Sequence, residues 1–320
     1  MTKKLISVIV PAYNEEDCIE ELVRRLAAVF DGNPDYDFEA VIVENGSTDS
    51  TLDLLRAANS ADPRFKVVRL SRNFRMDGGI TAGLDHINGD AAVIMTADLQ
   101  DPPELISAFI SKWEEGYENV YMTVTKRGGT GPLRRFNSRA FYWLAGRLTD
   151  HRIPQNASDF RLVDRKVYEA VRSMQERNRF VRGLFAWVGF RSVGVEAERP
   201  NRFAGQSKAY TFQVLDLAMK GILAHSYVPL KMITALGFAL SVLSLAALVI
   251  LSLIWVLVGV PFAGFGTIVA LSLLVFGLLA SMIGVLAEYL GLVYEEVKAR
   301  PNFVVAEHIG FRGSAEERRE

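Results

Sequence analysis

Oxygen-bearing side chains crowd one short stretch of the chain, the sequence TADLQDPPE at residues 96–104. Asp98, Gln100 and Asp101 place two carboxylates and an amide within four positions. Such oxygen ligands suit a hard divalent cation, which would in turn hold a diphosphate. Asp101 also fits the N-cap of a helix that begins at Pro102. We therefore assign Asp98 to a metal ion and Asp101 to the cap.

Two further polar clusters follow stretches rich in β-branched residues. The residues YNE at 13–15 follow a predicted strand at 5–10, and ENGS at 44–47 follow one at 38–43. The acidic cluster follows a third predicted strand at 91–95. Ligands of parallel sheets bind at the carboxyl ends of the strands, where these clusters would converge.

Strand and helix patterns alternate through the first part of the chain. Further predicted strands lie at 66–70 and 119–124, and helices are predicted at 15–30, 51–58, 79–86 and 102–113. This order favours an α/β fold with a mostly parallel sheet and helices on both faces.

Each cluster alone has a simpler explanation. Residues 44–49 could be only a strand–helix connection with a Ser or Thr cap, and acids at Glu15 and Glu16 would stabilise the first turn of a helix. The convergence of three clusters at one sheet edge is stronger evidence for a site than any one of them.

Residues 232–287 contain no Asp, Glu, Lys or Arg. A membrane-crossing helix needs about 20 apolar residues. We therefore predict two spans, near 232–258 and 267–287, with a glycine- and proline-containing turn between them. The alternative is a buried hairpin of a soluble protein, but a soluble core helix rarely runs this long without a charge.

Basic residues flank both predicted spans and are absent from the turn between them. The positive-inside rule then places both ends of the chain in the cytoplasm. The predicted organisation is a cytoplasmic domain at 1–209, a juxtamembrane interfacial helix at 210–229, two transmembrane helices within 230–290, and a cytoplasmic tail at 291–320.

The segment 133–150 combines basic and aromatic residues. Arg134, Arg135 and Arg139 are interleaved with phenylalanine, tyrosine and tryptophan, a pattern typical of a helix lying among lipid headgroups. An ordinary domain helix with a solvated basic face is the alternative. The net charge of −1 gives no reason to expect nucleic acid, and a single cysteine, Cys18, excludes an intramolecular disulfide.

Six motifs in order resemble a known family. VPAYNEE at 10–16, VENGSTD at 43–49 and ADLQDPPE at 97–104 look like the inverting family 2 glycosyltransferases with the GT-A fold. Further matches lie at 158–166, 179–187 and 199–208, so the resemblance covers essentially the whole chain. It is closer to the branch that makes polyprenyl-phosphate sugars, the dolichyl-phosphate mannose synthase, GtrB and ArnC-like group.

The resemblance implies transfer of one sugar from a nucleotide-diphosphate sugar to polyprenyl phosphate, undecaprenyl phosphate in bacteria, at the cytoplasmic face of the inner membrane. Asp98 and Gln100 would approach Mg²⁺ or Mn²⁺ and the donor diphosphate, and Asp159 would lie near the metal and the sugar. Arg202 would face a phosphate and act with these two aspartates in catalysis. The nucleotide pocket would be lined by Pro11, Tyr13, Glu15 and Glu44, and the lipid phosphate would be bound by Arg134, Arg135, Arg139 and Lys208.

This chain departs from the family pattern at two places. Thr96 stands where the family commonly has the first Asp of Asp-x-Asp, which bears on metal affinity. Glu44 and Asn45 stand where Asp-Asp or Asn-Asp is common, which bears on recognition of the base or ribose.

The charges suggest a mechanism. A polyprenyl phosphate is already an anionic nucleophile, so it needs little help from a general base. Basic side chains must neutralise the acceptor while the metal stabilises the leaving nucleoside diphosphate. We therefore give Asp159 a positioning or metal role first and a base role second.

Two rival functions remain at the level of sequence. A processive polysaccharide synthase would typically carry Gln-x-x-Arg-Trp, and QERNR at 175–179 does not supply it. A non-catalytic nucleotide-sugar-binding or scaffold protein is kept open by Thr96. Two isolated spans also make a homo-oligomer plausible.

Overall fold

The computed structural model describes residues 3–125, 157–177, 179–198 and 264–311, with scattered positions between 230 and 257. The chain divides into two compact units. One comprises Met1–Gly146, His151–Tyr210 and Arg300–Glu320, and the other comprises Arg147–Asp150 and Thr211–Ala299.

Some predicted elements lie outside the described residues. These are the interfacial helices predicted at 133–150 and 210–229, most of the first predicted span at 232–258, and the last residues of the tail.

The described elements of the first unit are β1 (Lys4–Ala12), α1 (Glu16–Asp31), β2 (Tyr36–Glu44), α2 (Thr51–Ala61), β3 (Phe65–Leu70), α3 (Arg75–Asp85), β4 (Ala91–Ile94), α4 (Leu105–Glu114), β5 (Asn119–Val124), β6 (Ala157–Asp164), α5 (Arg165–Ser173), α6 (Val181–Trp187), β7 (Ser192–Ala197) and β8 (Val305–Ile309). Strands and helices alternate from β1 to β5, as predicted.

The eight strands described form one sheet in the order β7-β5-β6-β4-β1-β2-β3-β8. Strands β4, β1, β2 and β3 run parallel to one another. The antiparallel pairs are β6 with β4 and β5, and β8 with β3. The predicted α/β fold with a mostly parallel sheet is confirmed.

Helices cover both faces of the sheet, and this explains the apolar runs in the strands. Successive side chains of a strand point to opposite faces. In β1, Val8 packs in one core cluster with α1, α2 and α4, whereas Ile9 packs in the other with α3, α5 and α6. Burying each such side chain contributes about 1.5–3 kcal/mol.

The last strand, β8, was not predicted, because the tail at 291–320 gave no strong periodic signal. It pairs antiparallel with β3, and Ser71 N–H donates to the Val304 carbonyl at 2.9 Å. Phe303 and Phe311 pack beside it against the second core cluster. The segment after the apolar region therefore returns to the sheet and covers the β3 edge.

The second unit contains α7 (Phe265–Lys298). Within the described residues, one helix is long and apolar enough to cross a membrane. Its candidate segment is Leu274–Lys298, and the most apolar 18-residue stretch of that segment has a mean hydropathy of 1.9. Large apolar side chains stand exposed along it; Leu274 is 69% exposed and Leu290 67%. The helix continues past the predicted span end at 287, and a two-helix hairpin is not shown.

Close packing of α3 on β1 gives the first prediction. A Cβ on Gly83 would overlap the Ile9 side chain. Gly83→Ala should therefore lower the free energy of unfolding by about 1–3 kcal/mol. Thermal unfolding of the purified protein in detergent measures this. Gly284→Ala on α7 is the control, since a Cβ there meets no described atom within 4 Å; equal midpoints for the two variants would contradict the prediction.

Candidate active site

The three polar clusters lie together at the carboxyl ends of the parallel strands, as predicted. Strands β1, β2 and β4 are parallel, and Ala12 pairs with Glu44 at the carboxyl ends of β1 and β2. The first two clusters bond directly to each other. Asn14 N–H donates to Ser47 Oγ at 3.0 Å, and Thr48 N–H donates to Asn14 Oδ1 at 2.8 Å.

The same loops are tied together further along. Glu15 N–H donates to Thr51 Oγ1 at 2.9 Å, and Ser50 N–H donates to Glu16 Oε2 at 2.9 Å. Asn14 takes the left-handed conformation, with φ of 53°. Tyr13 and Glu15 are half-buried in this loop, whereas Pro11 is buried. These contacts fix the backbone on which the predicted nucleotide-binding residues stand.

Glu44 is a buried carboxylate at the end of β2, with 1% of its surface exposed. It accepts a hydrogen bond from Ser47 N–H, and its other oxygen lies 3.6 Å from Arg69 Nε. Asn45 connects this loop to the start of α3. Its amide donates to the Arg75 carbonyl at 2.9 Å and accepts from the Phe74 N–H at 2.8 Å. The Glu-Asn departure therefore retains a carboxylate at this position and gives Asn45 a structural role.

The acidic turn after β4 is organised around Thr96. Its hydroxyl lies 2.7 Å from Asp98 Oδ1 and 2.9 Å from Asp101 Oδ2, and its single proton is donated to one of them at a time. Asp101 Oδ2 also accepts from the Thr96 N–H at 3.3 Å. Leu99 is left-handed, with φ of 58°, and Gln100 N–H donates to Asp98 Oδ1 at 3.2 Å. Asp98 and Gln100 thus lie on one tight turn, as the predicted metal site requires.

The cap role predicted for Asp101 is wrong. Helix α4 begins at Leu105, and its N-cap is Glu104. Asp101 is instead fully buried, where it accepts from Thr96 and from Ser158 Oγ at 3.3 Å. The two prolines after Asp101 form a turn that delays the helix, so the sequence pattern misplaced its start.

Asp159 lies on β6. Because β6 pairs antiparallel with β4, Asp159 lies near the carboxyl end of β4, on the same side of the sheet as the polar clusters. The guanidinium of Arg182, at the start of α6, forms a bidentate ion pair with the Asp159 carboxylate. Arg182 Nε donates to Oδ1 at 2.7 Å and Nη2 to Oδ2 at 2.5 Å. Arg182 lies in the motif RFVRGLFAW at 179–187, and the resemblance assigned this arginine no role. A metal ion at Asp159 would share its oxygens with this arginine.

Arg161 lies behind Asp159 and was also missed. Burial lowers the pKa of its guanidinium to about 10, while the nearby Asp159 charge opposes that shift. The side chain therefore stays protonated at neutral pH. It donates to the Ser158 carbonyl at 3.2 Å and stacks on Phe185, 5.0 Å from the ring centroid.

The structure describes the residues predicted to bind the metal but not those predicted to bind phosphate. Among the described residues, no three His, Cys, Asp or Glu side chains come together as a metal site. The set Asp98, Gln100 and Asp159, which includes an amide, stays a prediction. The residues predicted to bind phosphate lie outside the described residues: Arg134, Arg135, Arg139, Arg202 and Lys208.

Comparison with known proteins decides the family. The model of glycosyl transferase family 2 matches residues 7–172. The chain belongs to glycosyl transferase family 2. Two of its relatives match nearly end to end. An uncharacterised glycosyltransferase of Synechocystis sp. is 42% identical, over 94% of this chain and 95% of that protein. The SfII prophage-derived bactoprenol glucosyl transferase of Shigella flexneri is 35% identical, over 94% of this chain and 97% of that protein.

This family 2 chain is a glycosyltransferase with a GT-A-like α/β fold. Among solved structures, glucosyl-3-phosphoglycerate synthase from Mycobacterium tuberculosis, in complex with Mn²⁺, UDP-glucose and phosphoglyceric acid, is 21% identical. Its TM-score is 0.48, over 69% of this chain and 78% of that chain.

Thr96 gives the second prediction. In Thr96→Asp, a third carboxylate would face Asp98 and Asp101, and like charges at this distance repel. Without a divalent cation the variant should lose about 1–3 kcal/mol of stability. Adding Mn²⁺ or Mg²⁺ should raise its melting temperature more than that of the wild type. Thr96→Ser keeps the hydroxyl and is the control. If neither cation changes the melting temperature of Thr96→Asp, the prediction of a metal site at this turn is wrong.

The bidentate pair gives the third prediction. Asp159→Asn and Arg182→Gln should each destabilise the protein, and the double variant should lose less than the sum, by about 1 kcal/mol. Melting temperatures of the four proteins provide the cycle. Lys166 on α5 and Glu118, the residue before β5, form a monodentate ion pair at 2.5 Å in which the lysine side chain is 55% exposed, and their cycle should show weaker coupling. Strict additivity at Asp159 and Arg182 would show that the pair contributes no stability.

Proposed function

We propose that this chain transfers one sugar from a nucleotide-diphosphate sugar to polyprenyl phosphate at the cytoplasmic face of the inner membrane, with inversion at the anomeric carbon. The observation that carries the proposal is the nearly end-to-end match to proteins named bactoprenol glucosyl transferase. That match extends beyond the nucleotide-binding domain into the apolar C-terminal region, where a lipid acceptor would be reached.

The donor would bind across the three strand-end loops. Glu44, with Pro11, Tyr13 and Glu15, lines the pocket for the nucleoside. The Asp98 carboxylate and Gln100 amide fit a hard divalent cation, Mg²⁺ or Mn²⁺, because both offer oxygen ligands. Bound there, the cation would stabilise the charge of the leaving nucleoside diphosphate.

The acceptor phosphate must approach an anionic donor. Basic side chains therefore have to neutralise it, and Arg202, Lys208 and the arginines at 134, 135 and 139 are assigned this role. Asp159 orients groups beside the transferred sugar and is itself oriented by Arg182. Little proton transfer is needed, because the acceptor is already ionised.

The membrane supplies the acceptor. We place two spans within 230–290, interfacial helices at 133–150 and 210–229, and both chain ends in the cytoplasm. The exposed apolar side chains of α7 support contact with lipid. Self-association of the spans is compatible with this arrangement.

A transfer assay tests the proposal. Purified full-length protein is given undecaprenyl phosphate, Mg²⁺ or Mn²⁺ and a panel of radiolabelled nucleotide sugars that includes UDP-glucose. Label should enter the organic-extractable lipid from one donor. Asp98→Ala should slow this by about 100-fold or more, because it removes charge stabilisation at the leaving group.

Asp35→Ala, at an exposed turn before β2, is the matched control and should keep wild-type activity. Donor binding without transfer from any sugar in the panel would favour the non-catalytic binding protein instead.

A further inference from the structure

Three charged residues occupy one row across three adjacent strands. Glu44 on β2 pairs in register with Arg69 on β3, and Arg69 pairs in register with Glu307 on β8. The row therefore reads acid, base, acid at the carboxyl end of the parallel strands. Opposite charges placed directly across neighbouring strands attract one another.

The central arginine reaches both carboxylates. Arg69 Nε lies 3.6 Å from Glu44 Oε2, and Arg69 Nη1 lies 3.7 Å from Glu307 Oε2. The two acids differ in burial, because the Glu44 side chain is 1% exposed and that of Glu307 38%. A buried carboxylate is costly unless it is paired, and Arg69 provides the ion pair that the described residues give to Glu44.

Glu307 is itself held from the helix layer. Arg56 on α2 contacts its two oxygens at 2.8 and 3.1 Å. The strand that carries Glu307 is fixed by the β3 ladder. The arginine beside Glu44 is thus braced by a residue that follows the apolar helix α7 in the chain.

We propose that Arg69 is a positioning residue for nucleotide binding and that β8 enforces its position through Glu307. Arg69 balances the charge of the Glu44 carboxylate and holds it oriented toward the nucleoside of the donor. The inference rests on the proposed function, in which Glu44 lines the nucleotide pocket. Donor affinity is thereby coupled to docking of the C-terminal segment.

Nucleotide titration of the full-length protein in detergent tests the coupling. UDP, GDP and CDP are titrated in turn in the presence of Mg²⁺, and the tightest is carried to the variants. Arg69→Gln should raise its Kd about five- to tenfold, since the buried Glu44 carboxylate loses its ion pair. Arg69→Lys keeps the charge without the planar fork, so Kd should rise only about two- to threefold. Glu307→Gln should also raise Kd about two- to threefold, because Arg69 keeps its charge but loses the ion pair to Glu307 that fixes its position.

Arg56→Gln is the matched control. It removes an exposed ion pair to Glu307, but the pairing of β8 with β3 still holds Glu307 opposite Arg69, so Kd should change by less than about twofold. A second control is the Glu44→Gln background, in which Arg69→Gln should have no further effect. Steady-state kinetics should show a higher donor KM for Arg69→Gln, with kcat and the acceptor KM unchanged.

The outcomes separate the two ideas. Wild-type Kd in Arg69→Gln would overturn the inference, and so would an equal loss in Arg56→Gln, because the effect would then come from strand docking alone. A purely structural role would lower the melting temperature without splitting donor KM from kcat. A wild-type protein that binds no nucleotide would overturn the proposed function and this inference together. Nucleotide binding without lipid transfer would remove only the proposed acceptor.

Discussion

Glu44, Asp98 and Asp101 are carboxylates with 1%, 8% and 0% of their surface exposed, gathered at the carboxyl ends of β2 and β4. Removing such a charge from water costs on the order of several kcal/mol, even after the surrounding protein has relaxed. The loops around them are shaped by that cost. Backbone N–H groups and hydroxyls of the neighbouring turns are aimed at these oxygens, and the left-handed residues Asn14 and Leu99 make the turns tight enough to do so.

The same constraint gives a physical reason for Thr96. Compared with the family pattern, a carboxylate is missing there. In the structure the hydroxyl stands between Asp98 and fully buried Asp101, at 2.7 and 2.9 Å. A third acid at this point would add charge where two are already desolvated. A neutral donor instead keeps the turn together, and the departure is consistent with an intact local structure.

Local patterns predicted a large part of this fold. The β-branched runs gave the parallel strands, the helical spacing of apolar residues gave α1, and polar strand ends marked the candidate site, because each of these signals is contained within a few residues. Asp101 shows the limit of a local rule. Proline at a first helical position and proline in a turn look alike in sequence, and here the turn prevailed.

Long-range pairing left no comparable signal. Arg182 lies 23 residues from Asp159, and Glu307 lies 251 residues from Arg56. Neither partner is marked by spacing, since what joins them is strand order and register. The motif at 179–187 contains Arg182 but gave it no role. The sequence of β8 is VAEHI, in which Glu307 and His308 interrupt the apolar run that marked β4.

The edge strand joins these observations. Without β8, β3 would present unpaired backbone groups at the margin of a parallel sheet, a liability that proteins cover or block. Antiparallel pairing with a strand that follows α7 covers this margin and needs no crossover helix. The register of that pairing also decides which side chain faces Arg69. A shift of one residue would replace Glu307 by Ala306 or His308, and would turn the alternate side chains to the opposite face. Covering the edge and completing the charged row beside Glu44 are therefore consequences of one register.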